Sequence, residues 1–128
     1  MPETPETHNR ITRIQKDIEE LRQDQEDSWH LEREKYEKML RNTLQGNPKA
    51  TILYLEIDGL RSIMEIDNDL KNRGQRIARM TLWRAEQSLL KGGLVRKVGV
   101  KGKSPIYAKK RWAIILHMDD YVRTEIAT

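Results

Sequence analysis

The sequence contains no cysteine. Disulfides, thiolate zinc sites and cysteine nucleophiles are excluded, and a reducing cytoplasm is the expected setting. Histidine is scarce: His8, His30 and His117 lie far apart, so no metal site is expected. Asp67 and Asp69 resemble the start of a calcium loop, but the glycine and later glutamate of that motif are missing. No run approaches the roughly 18 apolar residues of a transmembrane helix. The opening MPETPETHNR has neither a basic nor an apolar stretch, so no secretory signal is expected. Ser62, Ser88 and Ser104 have no base near them in sequence, and nothing clusters as a catalytic set. An enzyme is the weakest reading, and no cofactor or small-molecule substrate is expected.

Acidic residues are nearly absent from one long stretch. Across 71–111 there are 13 Lys and Arg and a single acid, Glu86, a net of +12. Residues 1–45, by contrast, carry 8 basic and 11 acidic residues, a net of −3. A stretch this one-sided repels itself unless something negative covers it. The stretch reads as folded chain rather than a tail, which points to a polyanionic partner. Nucleic acid leads, and an anionic membrane surface trails.

The 128 residues suffice for one domain and an accessory element. Residues 1–8 read as a disordered lead. Residues 9–45 hold neither Gly nor Pro and read as one long helix of roughly 50 Å. Within it Ile11, Ile14, Ile18 and Leu21 follow the 3, 4, 3 spacing of a coiled coil. The later positions, Gln25 and Trp29, are a weaker continuation with a stutter. Such a stripe cannot be buried within its own helix, so it predicts pairing with a second copy or packing on the following domain.

Gly46-Asn47-Pro48 marks the boundary, with Asn47 an N-cap and Pro48 a first helical residue. Residues 48–111 then read as three helices and a hairpin. The first, about Pro48–Asp58, is expected to bury Ile52, Leu55 and Leu53. The second, about Leu60–Lys71, carries Ile63, Ile66 and Leu70 on one face. The third, about Arg76–Lys91, carries Ala78, Leu82, Ala85 and Leu89, and Gly92-Gly93 stops it. From Val95 the period changes to two, turns at Lys101–Ser104 and returns through Pro105–Lys109. A last helix, 112–126, is apolar on two sides through Trp112, Ile115, Leu116, Val122 and Ile126 and through Ile114, Met118 and Tyr121. It is expected to pack on its own domain and on a partner.

Glu65-Ile66 followed by Leu70, then Thr81-Leu82-Trp83-Arg84, Leu89 and Gly93-Leu94-Val95-Arg96, with Pro105-Ile106-Tyr107 returning, resembles the winged helix-turn-helix DNA-binding superfamily. The likeness covers about 48–112 and is closest to MarR-, PadR- and ArsR-like regulators of archaeal or bacterial type. It implies a mainly α fold with a small β-hairpin wing, here preceded by a long coiled-coil helix and followed by a C-terminal helix. Two features depart from the pattern. The connection between the second and third helices is longer, and Glu86 stands where the family has a buried aliphatic residue. Glu86 is therefore expected to point outward or to pair with an arginine, and Trp83 to be partly buried packing.

The resemblance implies a recognition helix in the DNA major groove. Arg76, Arg79, Met80, Thr81 and Arg84 would face bases. Arg96, Lys97, Lys101 and Lys103 would form the wing contacts, and Lys71, Arg73, Lys109, Lys110 and Arg111 would hold phosphates. Dimerisation is expected through Ile11, Ile14, Ile18 and Leu21 and through Trp112, Leu116 and Val122. The function expected is a homodimeric, nucleoid-associated transcriptional regulator on double-stranded DNA. The alternatives are a protein-interaction adaptor, or a replication or partition accessory of a plasmid or virus.

Overall fold

The computed structural model describes residues 5–127, and the start of the expected lead, 1–4, lies outside them. It is mainly helical, with one two-stranded antiparallel sheet after the principal helices. The chain forms two compact units, 1–33 and 34–128.

The first unit is the helix α1, Pro5–Leu31. It begins four residues before Asn9, inside the stretch read as a disordered lead. Its apolar stripe is solvent-exposed in the single chain: Ile11 is 40% exposed, Ile14 58%, Ile18 52% and Leu21 69%. The long helix expected over 9–45 is not one element. Glu32 interrupts it, its N–H shared between the carbonyls of Ser28 (3.0 Å) and Trp29 (3.2 Å).

The division falls after the first residue of α2, Arg33–Leu44, which buries Tyr36, Leu40 and Leu44 in the second unit. Asn47 then caps α3, Pro48–Glu56, accepting from the Ala50 N–H at 3.3 Å. The Thr51 hydroxyl donates to the carbonyls of Leu44 (3.1 Å) and Asn47 (3.0 Å), tying the two helices together. The buried residues of α3 are Ala50, Thr51, Leu53 and Tyr54; Ile52 and Leu55 are only half-buried. The run Ala-Thr-Ile-Leu-Tyr-Leu is apolar nearly all round, so its own period does not choose a face. Packing against helix α5, Arg79–Lys91, selects the 50, 53, 54 stripe, which Ile57 continues.

Helix α4, Ile63–Asn72, starts three residues later than expected because Ser62 caps it. The Glu65 N–H donates to the Ser62 Oγ, and the Ser62 N–H to the Glu65 Oε1 at 3.0 Å, a reciprocal capping box. Ile63, Ile66 and Leu70 are buried as their spacing predicts. Gly74, at a φ of 78°, ends the helix, and the Gln75 N–H returns to the Leu70 carbonyl at 2.8 Å. The chain then runs extended to α5, anchored by Ile77, which is 5% exposed. Ala78, expected on the buried face, is exposed and is the N-cap. Leu82, Ala85 and Leu89 are buried as expected. A side chain at Gly92 would collide with Thr43, so the glycine lets α2 lie against the end of α5.

Strand β1, Val95–Lys101, pairs with β2, Ser104–Lys109, around Gly102-Lys103. The register shifts between Lys97 and Gly99, a bulge that twists the hairpin. The α3–α4 loop runs beside β2. The Gly59 N–H donates to the Tyr107 carbonyl at 3.0 Å, and Ser62 bridges to Ile106.

The expected C-terminal helix is broken into α6 (Arg111–Ile115), α7 (Met118–Tyr121) and a π-helical turn (Val122–Ile126). His117 takes a left-handed φ of 53° at the break. Leu116 and Met118, two residues apart, would point to opposite sides of a continuous helix. The break lets both be buried, at 1% and 0% exposed. Trp112, Leu116 and Val122, expected to pack both on their own domain and at a dimer contact, are buried in the single chain, with Trp112 stacked on Tyr36 at 4.4 Å.

Candidate nucleic-acid interface

The expected contact residues divide into two groups. Arg79 and Arg84 are exposed in the first half of α5, and Thr81 is half-buried there. Arg76 is exposed too, but it precedes the helix, because the connection from α4 extends to Ala78. Arg96 and Lys97 are exposed on β1, and Lys103 is exposed at the hairpin turn. Among the described residues, Arg76, Arg79, Arg84, Arg96, Lys97 and Lys103 make no ion pair.

Lys110 is half-buried and Arg111 exposed at the start of α6. Lys71, Arg73, Lys101 and Lys109 are engaged. Lys71 pairs with Asp67 one turn back at 3.0 Å, and Arg73 with Glu56. Lys101 pairs with Glu65 at 2.9 Å, joining the hairpin to the start of α4. The Ser104 Oγ reinforces that join by accepting the Met64 N–H at 3.0 Å. The Ser62 N–H and the Lys101 ammonium hold the Glu65 carboxyl below its ordinary range. Lys71, Arg73 and Lys101 are each about half exposed and can exchange a surface pair of this kind for a phosphate at little cost.

Lys109 cannot do so. Its side chain is 9% exposed, pairs with Asp119 at 2.8 Å and lies 5.0 Å over the Tyr54 ring. Burial, with Asp119 adding to it, pushes the Tyr54 hydroxyl far above its ordinary range. Lys109 is therefore a strut joining β2 to α7, not a phosphate contact. Lys109→Met is expected to cost about 1–3 kcal/mol by leaving Asp119 unpaired. It should leave the salt dependence of any nucleic-acid binding unchanged. A thermal melt and a salt titration check the two halves.

The α3–α4 loop that supports the hairpin is locked by Arg61. Its guanidinium contacts Asp69 at 2.7 Å, Asp58 at 2.8 Å and Glu56 at 3.0 Å. Partial burial works against ionisation of Asp58. The Arg61 and Leu60 N–H groups and the Arg61 side chain outweigh it and hold the carboxyl at about 2.

A groove of about 350 Å³ runs between α4, α5 and the hairpin turn. It brings Arg79 and Lys103 together with Met64, Trp83 and Pro105. Two carboxylates also line it: Asp67, whose Oδ2 pairs with Lys71 while its Oδ1 is buried without a partner, and Glu86, which accepts from the Tyr107 hydroxyl at 2.5 Å. Glu86 thus neither pairs with an arginine nor points free. Burial, reinforced by Glu86, raises the Tyr107 hydroxyl well above its ordinary range. The N-terminus of α5 has no side-chain cap and no acid in its first turn, leaving amide donors beside Arg79.

Sequence reasoning placed Met80 on this face but missed the part that Trp83 and Met64 play in it. Trp83, expected to be partly buried packing, is 54% exposed, and Met64 and Met80 are each 60% exposed. Helical spacing could have found it, since positions 80, 83 and 84 fall opposite the buried 82, 85 and 89.

Among the described residues no helix is long and apolar enough to cross a membrane, and no group of three or more His, Asp or Glu could hold a metal. No family model matches the chain, nor does any curated protein or solved structure.

Proposed function

We propose that this chain binds double-stranded DNA as a winged helix-turn-helix protein, with α5 in the major groove and the β1–β2 hairpin as its wing. It would act as a homodimer joined through α1, regulating transcription from the nucleoid. One observation carries the reading. Six of the expected contact residues on α5, its approach and the hairpin are exposed and make no ion pair among the described residues, while the single acid of the 71–111 stretch is already hydrogen-bonded. An unneutralised surface of this density fits a polyanion. The order α3, α4, α5, hairpin fits the winged-helix arrangement, and a helix of α5's diameter fits the major groove.

The test is binding of a random 30-base-pair duplex by the full chain and by Arg79→Ala/Arg84→Ala. Each lost base or phosphate contact is expected to weaken binding by about 1–3 kcal/mol. A loss confined to a selected sequence identifies base readers; a uniform loss identifies phosphate contacts.

A second reading, a protein-docking adaptor, rests on the exposed Met64, Met80 and Trp83. An adaptor has no need of unpaired cations around them, which ranks it below DNA binding.

A further inference from the structure

The exposed apolar groups are contiguous. Met64 and Trp83 line the groove beside the hairpin turn, and Trp83 with Met80 and Arg79 lines an adjoining open depression. Unpaired cations, Arg79 and Lys103, stand at its edges. An occupant of this surface must carry negative charge and also offer apolar groups between the charges. The duplex major groove does both. Phosphates form its walls, and the thymine 5-methyl is the apolar group on its floor.

Met80 and Trp83 are three residues apart on α5 and share one face with Arg84. Their separation along the axis is about 4.5 Å, close to one base-pair step. We propose that Trp83 and Met80 read thymine methyl groups at neighbouring base pairs, so that the chain selects duplexes by an apolar contact beside its arginines. The inference rests on the DNA-binding reading above and adds to it the residues that discriminate and the base they discriminate for. It also accounts for a tryptophan left more than half exposed on a helix whose other face is buried core.

The experiment uses the full chain. A binding sequence is enriched from a random 30-base-pair duplex pool. It is then synthesised twice, with thymine and with deoxyuridine at every thymine position, which removes only the methyl groups. Burying a methyl is worth about fourfold in affinity, so wild type is expected to bind the deoxyuridine duplex about 15-fold more weakly for each protomer that reads two. Trp83→Ala should shrink that ratio, and Met80→Ala/Trp83→Ala should bring it near one. Both side chains are largely exposed, so circular dichroism spectra should match wild type.

Three results would overturn the inference while leaving DNA binding intact. They are equal binding of the two duplexes by wild type, the same ratio in wild type and both variants, and duplex binding with no enriched sequence. Failure to bind any duplex at low salt is a different outcome. It removes the DNA reading itself and leaves the patch to an acidic amphipathic segment of a partner protein.

Discussion

Replacing Ile14 and Ile18 with aspartate is expected to convert a dimer into a monomer while the 34–128 unit stays folded. Both side chains are more than half exposed in the single chain, at 58% and 52%. They belong to a stripe spaced 3, 4, 3 along α1. A helix of 27 residues with this stripe uncovered lacks the packing of an apolar face that supplies most helical stability. Pairing with a second copy would bury each isoleucine for about 1.5–3 kcal/mol, and two chains contribute four of them. Aspartate at these positions forfeits that burial and sets like charges against one another across the seam. Light scattering reads the change in mass. Duplex affinity should fall with it, by ~100-fold or more, because a second DNA-binding unit on the same duplex acts at high effective concentration. A variant that remains dimeric would remove α1 from the account of assembly.

Trp112→Ala is expected to do the reverse, lowering stability without changing mass. Trp112 is 8% exposed and stacks on Tyr36 with 14° between the rings. Both residues belong to the 34–128 unit. Truncating a buried tryptophan costs about 3–5 kcal/mol, through lost transfer energy and the cavity left behind. In a unit of this size each kcal/mol is worth roughly 4–8 °C in Tm, so melting should fall by more than about 10 °C. A dissociated dimer with an unchanged melt would return Trp112 to the subunit contact that its sequence position suggested.

What could be read in advance follows from how local each signal is. The hairpin was legible because the apolar period changes from 3.6 to 2 after Gly92-Gly93, and the strands lie at 95–101 and 104–109. The cores of α4 and α5 were legible because Ile63, Ile66 and Leu70, and Leu82, Ala85 and Leu89, repeat at helical spacing between polar residues. The Ser62–Glu65 capping box was equally visible in the sequence but lies inside a segment whose apolar Leu60 suggests an earlier start. Leu60 is in fact 72% exposed. Other features depended on distant neighbours. Nothing near Lys109 shows that Asp119 and Tyr54 will enclose it, so its charge reads like that of Lys110 or Lys103. His117 carries no strong break signal of its own. The break is set by the need to bury Leu116 and Met118 together. Trp83 read as partly buried packing, and its 54% exposure follows from the α5 register that Ala85 and Leu89 impose.

The measurement closest to the central claim is the salt dependence of duplex binding by the unmodified chain. The six exposed cations of the expected contact set that make no ion pair among the described residues can neutralise six phosphates per protomer, and Lys71, Arg73 and Lys101 can add to that number. Log K should then fall linearly with log salt, with a slope of ~−4 to −5 per bound protomer when nearly all of the six do. Arg79→Ala/Arg84→Ala should make that slope shallower wherever the two arginines touch phosphate. No binding of a 30-base-pair duplex at low salt, or binding indifferent to salt, would contradict the account.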